Sequence, residues 1–462
     1  MVFSSLEFIF AFIPLFYGLY ILLRKRVGNV LTLVASGAFY IYGTWNHPEY
    51  IALIGMSIVA NYFFGRLIAL RKHAKVSLIC GLVFHFAWLA LYKYSAFFVT
   101  NVNQLFGIQL PFQSFVLPLG ISFYTFQEVS YLIDVYRGKQ ECEISFVKLA
   151  TYILMFPQLI AGPIVNYNEV CEQLDDRTFS WEGFNDGLRT FTIGLASKVL
   201  MANRVGGLWN QIQTVGYEGI TTPMAWMGII AYSLQIYFDF NGYSLMAIGL
   251  GEMMGLKFPK NFDYPYYSVS MTEFWRRWHI TLGRWFREYV YIPLGGSRKG
   301  KARTIFNLFV VWAFTGLWHG AGWNFILWGL FLFTVLVLEK TLYLKYLEKY
   351  RWAGHIYMAF LIPISWVLFA VSGIENIKHF VLRLFPICGA SATAYAQDYL
   401  KYGKLYGLTI VVGIVLSQPV LVKFYQKYKT KWWMSLILLA LFWASVYYLQ
   451  SGLDNPFLYF NF

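Results

Sequence analysis

Two histidines, His279 and His319, stand forty positions apart within the stretch Phe274–Trp328. Imidazole is the side chain whose ordinary pKa lets it take up and release a proton near neutral pH. Set in apolar sequence, it points first to proton transfer. Around His279 runs FWRRWHITLGRWFREYVYIPLGG. On a helical wheel of about 100° per residue, Trp275, Trp278, Leu282, Trp285, Phe286 and Tyr289 share one face. Arg276, Arg284 and Arg287 share another, with Arg277 at its edge. An aromatic face beside an arginine face predicts a helix lying flat in a membrane interface. His279 projects from its aromatic side. Glu273 stands four residues before Arg277, the favourable order for a helical ion pair. Pro293 and Gly295–Gly296 end the helix.

The element that carries His319 differs. Thr304 to Leu338 is 35 residues without Lys, Arg, Asp or Glu. One helix of that length would reach ~50 Å at about 1.5 Å per residue, against a hydrocarbon core about 30 Å thick. The run must break, and Gly316, Gly320 and Gly322 mark the place. The arms 304–319 and 323–338 put His319 at membrane depth, where an ionisable group is a functional candidate by default.

The 462-residue chain is 58% hydrophobic and only 13% charged, about half the charged fraction of a soluble protein. Apolar stretches recur from end to end, so the expected class is an all-α polytopic membrane protein of about 11–13 spans, read as a single domain over 1–462. The N-terminus lacks a charged n-region and a cleavage site and reads as a retained span. The net charge of +14 belongs to cytoplasmic loops. No soluble basic domain exists to bind nucleic acid. Cys80, Cys142, Cys171 and Cys388 are scattered without metal spacing and read as unpaired thiols.

Candidate spans are 6–23, 28–44, 50–70, 76–99, 115–133, 188–209, 224–254, 304–319, 323–339, 355–375, 407–422 and 432–450. A thirteenth stretch, 144–165, contains FPQLIAGPIV, whose prolines and glycine break a helix. Read as re-entrant or broken, it leaves twelve crossings and returns every basic loop to the cytoplasm. That includes 257–303, with ten Lys/Arg against three Asp/Glu. Polar residues interrupt the apolar runs: Asp239 and Asn241 in YFDFNGYS, Gln127 and Glu128 in SFYTFQEVSYLID, and Lys198. Each either locks helix packing or faces a wet cavity, and Lys198 has a third option, snorkelling. The motifs GxxxxGK[ST], HExxH, GxSxG and CxxC are absent.

Five segments, in order, resemble the membrane-bound O-acyltransferases, and among them the bacterial branch that O-acetylates alginate. They are PLGISFYTFQEVSYLIDVYRG (118–138), FPQLIAGPIV (156–165), YSLQIYFDFNGYSLMAIGLGEMMGLKFPKNFDYPY (232–266), EFWRRWHITLGRWFREYVYIPLGG (273–296) and TGLWHGAGWNFILWG (315–329). The motif-bearing core is about 115–340. Where the family often has FSGYSDMAIG this chain has Asn241 and Leu245, and Gly283 stands where Ser is common.

The resemblance implies a helical fold around a membrane-embedded tunnel in the bacterial cytoplasmic membrane. His319 matches the family's essential histidine and His279 its second. It implies acetyl transfer from acetyl-CoA or an acyl-carrier-protein thioester to a cell-surface polysaccharide, directly or through a secreted or membrane-anchored SGNH-like acetyltransferase. His319 is then the general base, kept neutral beside Trp318. His279 holds the thioester carbonyl or orients His319. Trp318, Asp239, Asn241, Gln127, Trp278 and Trp285 line the tunnel, and Arg276, Arg284 and Arg287 meet the anionic donor. No bound cofactor or metal is expected. Two other readings stand: D-alanyl transfer to teichoic acid from a carrier protein, and a transporter or channel built on the same cavity.

The sidedness is testable. With the four native cysteines replaced, a cysteine at Ser297 resists an impermeant thiol reagent in intact cells. Labelling from outside overturns the assignment of 257–303 to the cytoplasm.

Overall fold

A computed structural model describes residues 2–112, 115–385, 395–452 and 457–458. Cys388 lies outside these residues; Cys80, Cys142 and Cys171 are free thiols. Among the described residues all regular secondary structure is helical. Among the described residues seven elements are long and apolar enough to cross a membrane: Phe8–Gly43, Glu49–Ala69, Ala74–Phe106, Trp323–Lys349, Arg351–Ala370, Asp398–Leu416 and Trp432–Gln450. The fold is all-α and polytopic.

The chain forms two compact units, Met1–Phe191 with Tyr243–Pro259, and Thr192–Gly242 with Lys260–Phe462. The first holds α1 (Ile13–Gly43), α2 (Glu49–Ala69), α3 (Ala74–Phe106), α4 (Ile121–Arg137), α5 (Phe146–Leu154), α6 (Phe156–Leu159) and α7 (Tyr167–Asp175). The division falls within α8 (Trp181–Ala196) and, after α9 (Asn203–Val215), within α10 (Thr222–Met253). The second unit continues with α11 (Met271–Arg277), α12 (Ile280–Phe286), α13 (Lys301–His319), α14 (Trp323–Leu338), α15 (Leu344–Lys349) and α16 (Arg351–Ala370). It ends with α17 (Ile374–Leu384), α18 (Asp398–Leu416), α19 (Val420–Tyr428) and α20 (Trp432–Gln450).

In the first unit, α1 bends at Val27 (φ −139°, ψ 28°), beside the basic run Arg24–Arg26 that separates two apolar stretches. The stretch 144–165 is broken, as its prolines require. Here α5 ends at Met155 (ψ 114°) and α6 restarts with Pro157 in its first turn. Nine residues of α5 reach ~14 Å, too short for a crossing. Gln127 and Glu128 lie on α4 and are buried. Glu128 Oε2 accepts from Ser57 Oγ at 2.8 Å and faces His85 Nδ1 at 2.9 Å. Neither amide atom of Gln127 has a protein partner.

In the second unit, Lys198 does not snorkel. Its ammonium is buried and meets Asp239 Oδ1 at 2.6 Å, while the Leu458 N–H donates to Asp239 Oδ2 at 2.8 Å. Both carboxylate oxygens are thus engaged in packing, the alternative the sequence left open for Asp239. A buried charge left alone is penalised more than the pair is rewarded. Lys198→Met is therefore expected to destabilise the protein by about 3–5 kcal/mol, and Lys198→Met with Asp239→Leu to recover most of that loss. Thermal unfolding of the purified chain measures both.

Candidate active site

The sequence predicts one helix through Phe274–Tyr289; the structure breaks it. α11 stops at Arg277, and His279 takes left-handed backbone (φ 46°, ψ 54°) before α12 begins at Ile280. Such backbone is strained for a residue with a Cβ and persists only where its surroundings hold it. Asn261 does the holding. Its backbone oxygen accepts from Ile280 N–H at 2.9 Å. Its Oδ1 accepts from Thr281 N–H at 3.3 Å and from Thr281 Oγ1 at 2.9 Å. One side chain thereby caps the new helix and fixes the turn.

The same oxygen lies 3.1 Å from His279 Nδ1. Thr281 N–H can only donate, so the atom facing it is the carboxamide oxygen, and His279 must present N–H at Nδ1. Its Nε2 is left as an acceptor, buried and without a protein partner. Burial pushes the imidazole pKa down to about 3. In this form the ring offers a lone pair, not an N–H, at Nε2. It can accept a hydrogen bond, and so orient another group. The ring packs at 4.7 Å from Phe240 and 6.2 Å from Trp318.

α11 is anchored at its start. Ser270 Oγ accepts from Glu273 N–H at 3.1 Å, and Glu273 Oε2 from Val269 N–H at 2.9 Å, a reciprocal cap. The fully buried carboxylate of Glu339 adds a second restraint. It accepts from Met271 N–H at 2.6 Å, Thr272 N–H at 2.8 Å and Thr272 Oγ1 at 2.7 Å. A carboxylate at a helix N-terminus is favoured by the unpaired N–H groups there. The Glu273–Arg277 pair forms as expected, at 2.8 Å.

α13 ends on His319 and α14 starts at Trp323, at the break placed there from the glycines. A Cβ on Gly316 would stand 2.6 Å from Phe325 O, and one on Gly329 2.5 Å from Trp312 O. These two glycines therefore permit the close crossing of α13 and α14. His319 is 5% exposed. Its ring lies 4.9 Å from Trp318, 5.1 Å from Trp328 and 5.2 Å from Phe369.

One cavity of about 530 Å³ reaches both histidines. Trp275, Trp278 and Trp312 line it, and so do Arg276, Arg287 and Lys340. Trp318 touches both imidazole rings. Arg284, Trp285, Trp318, Asp239 and Asn241 are not among the cavity's lining residues. Trp285 instead packs at 5.5 Å from Phe286 and 5.3 Å from Tyr289. Gln127 belongs to the first unit. Sequence reasoning passed over Asn261, Glu339 and Lys340. Asn261 stood inside a quoted motif, in KFPKNFDYPY, but an asparagine in a loop gives no sign of which backbone it will hold.

Replacing Asn261 by Ala strands a buried imidazole N–H and a helix-start N–H. It is expected to destabilise the protein by about 1–3 kcal/mol and to lower activity. Asn261→Asp, which keeps the accepting oxygen, is expected to do less harm. Thermal unfolding alongside turnover separates the two variants.

The sequence profile of the membrane-bound O-acyltransferase family matches residues 142–375. The chain is 36% identical, over 501 aligned positions covering all of both proteins, to a probable alginate O-acetylase AlgI of Pseudomonas putida. It is 31% identical to a peptidoglycan O-acetyltransferase of Helicobacter pylori over 525 positions, covering 100% of this chain and 98% of that protein. A teichoic acid D-alanyltransferase of Bacillus subtilis is 28% identical over 246 residues, 51% of this chain and 61% of its own. With a buried histidine pair in one cavity of a polytopic helical fold, this chain belongs to the membrane-bound O-acyltransferase family and is an O-acyltransferase.

Proposed function

We propose that the enzyme moves an acetyl group from a cytoplasmic thioester, acetyl-CoA or an acyl carrier protein, to hydroxyls of an exported or cell-surface polysaccharide. The transfer is direct or passes through a secreted or membrane-anchored SGNH-like acetyltransferase. The bacterial cytoplasmic membrane is its place. The carrying observation is the single cavity that holds two imidazoles and three cations. The hydroxyl oxygen attacks the thioester carbonyl carbon, a C–O bond forms, the C–S bond breaks, and the proton passes by way of His319 to the departing sulfur. His319 is the base. His279, too weakly basic to hold that proton, keeps an open Nε2 that can accept a hydrogen bond and so orient the reacting groups beside His319. Arg276, Arg287 and Lys340 attract the donor's phosphates.

A second reading, D-alanyl transfer to teichoic acid from a carrier protein, draws on the Bacillus subtilis relative. The O-acetylating relatives align along the whole chain and that one along about half, which favours acetyl. Membership of an acyltransferase family accounts for the buried polar cavity without invoking transport.

His319→Gln keeps shape and hydrogen bonding but cannot carry the proton. It is expected to lower acetyl transfer by about 10²-fold or more while leaving expression close to normal. His279→Ala is expected to be less severe. Near-normal transfer by His319→Gln, measured as thiol release from acetyl-CoA together with acetyl incorporated into surface glycan, removes the base assignment. Neutralising Arg276 and Arg287 together is expected to raise the apparent KM for donor, by a factor that shrinks as salt is added. An unchanged KM with poorer membrane insertion assigns them to lipid anchoring instead.

A further inference from the structure

The first unit holds a second recess, of about 580 Å³, at the bend of α1. Arg24, Lys25 and Arg26 line it from α1, and Arg177 lines it from the segment between α7 and α8. Arg177 is fixed in place. Its Nη1 donates to Tyr20 Oη at 3.1 Å and Thr32 Oγ1 at 3.0 Å, and its Nη2 donates to Asn29 Oδ1. Its Nε is buried and has no protein acceptor. The Arg24 guanidinium stands 4.1 Å over the Phe179 ring. Among the described residues none of these four cations has a carboxylate at ion-pair distance. Of the two acids on the wall, Asp175 is taken by Lys148 at 2.5 Å, and Asp176 remains.

Four cations gathered against one remaining carboxylate, Asp176, leave the recess with an excess of positive charge. Simple snorkelling explains Lys25 and Arg26, which are exposed. It does not explain Arg177, held rigid by three neutral partners with two of its five N–H groups left over, one on Nε and one on Nη2. A guanidinium presented in this way suits a phosphate group. On both sides of the bend, α1 turns apolar residues outward, among them Leu15, Leu22, Val27 and Val34. This combination fits an amphiphile: phosphate in the recess, acyl chains along the helix. The basic run also sits on the side assigned to the cytoplasm, where the leaflet is anionic.

We propose that the bend of α1 is a binding site for a phosphate ester, carried by an anionic membrane lipid. A soluble phosphate ester shares the recognising chemistry, and the experiment separates the two sources. The full-length protein is purified in detergent, and lipid retention is read by native mass spectrometry with phosphatidylglycerol or phosphatidylcholine. Glycerol 3-phosphate serves as the soluble competitor. Phosphatidylglycerol is expected to be retained in preference. Its affinity should fall roughly fivefold for each cation removed in Lys25→Gln with Arg26→Gln, and again in Arg177→Gln. Displacement by millimolar glycerol 3-phosphate supports the site and assigns it to the soluble ester; retention against it supports the lipid. The Lys25/Arg26 double variant alters exposed side chains alone, so the test survives if Arg177→Gln misfolds. Equal retention of phosphatidylglycerol by wild type and the double variant, or no preference over phosphatidylcholine at low salt, overturns the proposal.

Discussion

The candidate site depends on one left-handed residue. His279 interrupts what would otherwise be a continuous amphipathic helix, and the interruption exists because Asn261 gives the freed N–H groups an acceptor. Unsupported, left-handed backbone at a residue with a Cβ is costly, by about 1–3 kcal/mol. Supported, it turns the imidazole into the cavity and fixes which nitrogen carries hydrogen. The carboxamide that stabilises the turn therefore also sets the chemistry of the ring.

The rest of the second unit makes that turn rigid. Glu339 holds the start of α11 through two backbone N–H groups. Trp275 and Trp278 lock the other side, the first at 4.9 Å from Trp312 and the second at 5.1 Å from Trp366. Gly316 and Gly329 bring α13 and α14 into backbone contact, which sets His319 among Trp318, Trp328 and Phe369. Aromatic rings add contact area at low conformational cost. Such immobility matters at any reacting site, because misplacement by about 1 Å can cost 10²-fold in rate.

Buried polar residues elsewhere divide by what satisfies them. Asp239 is saturated by Lys198 and the Leu458 N–H. Glu128 is shared by Ser57 and His85. These groups fix helix positions in an environment where unpaired polar atoms are penalised. His279 Nε2 is one of several buried polar atoms without a protein partner, Glu128 Oε1 and His85 Nε2 among them, and it is the one in the residue that shares its cavity with His319.

Much of this was legible in the sequence. Length against bilayer thickness required a break near His319, and α13 and α14 meet there. The prolines of 156–165 required a broken segment. The order of Glu273 and Arg277 required their pair. Hydrophobic spacing placed Trp278, Trp285, Phe286 and Tyr289 on one aromatic face, expected at a membrane interface; the structure buries all four within the protein, a distinction that apolar composition alone does not make. Periodicity could not show the break itself, since nothing in RRWHIT departs from helical spacing and its cause, Asn261, lies 18 residues upstream of His279. It could not show that Lys340 joins Arg276 and Arg287 while Arg284 does not, because one wheel cannot say how two helices face a third. The sequence by itself determined which residue types could move a proton and how far each helix could reach. The tertiary structure alone decided which nitrogen is open and which cations share its cavity, because both depend on atoms brought together from distant parts of the chain.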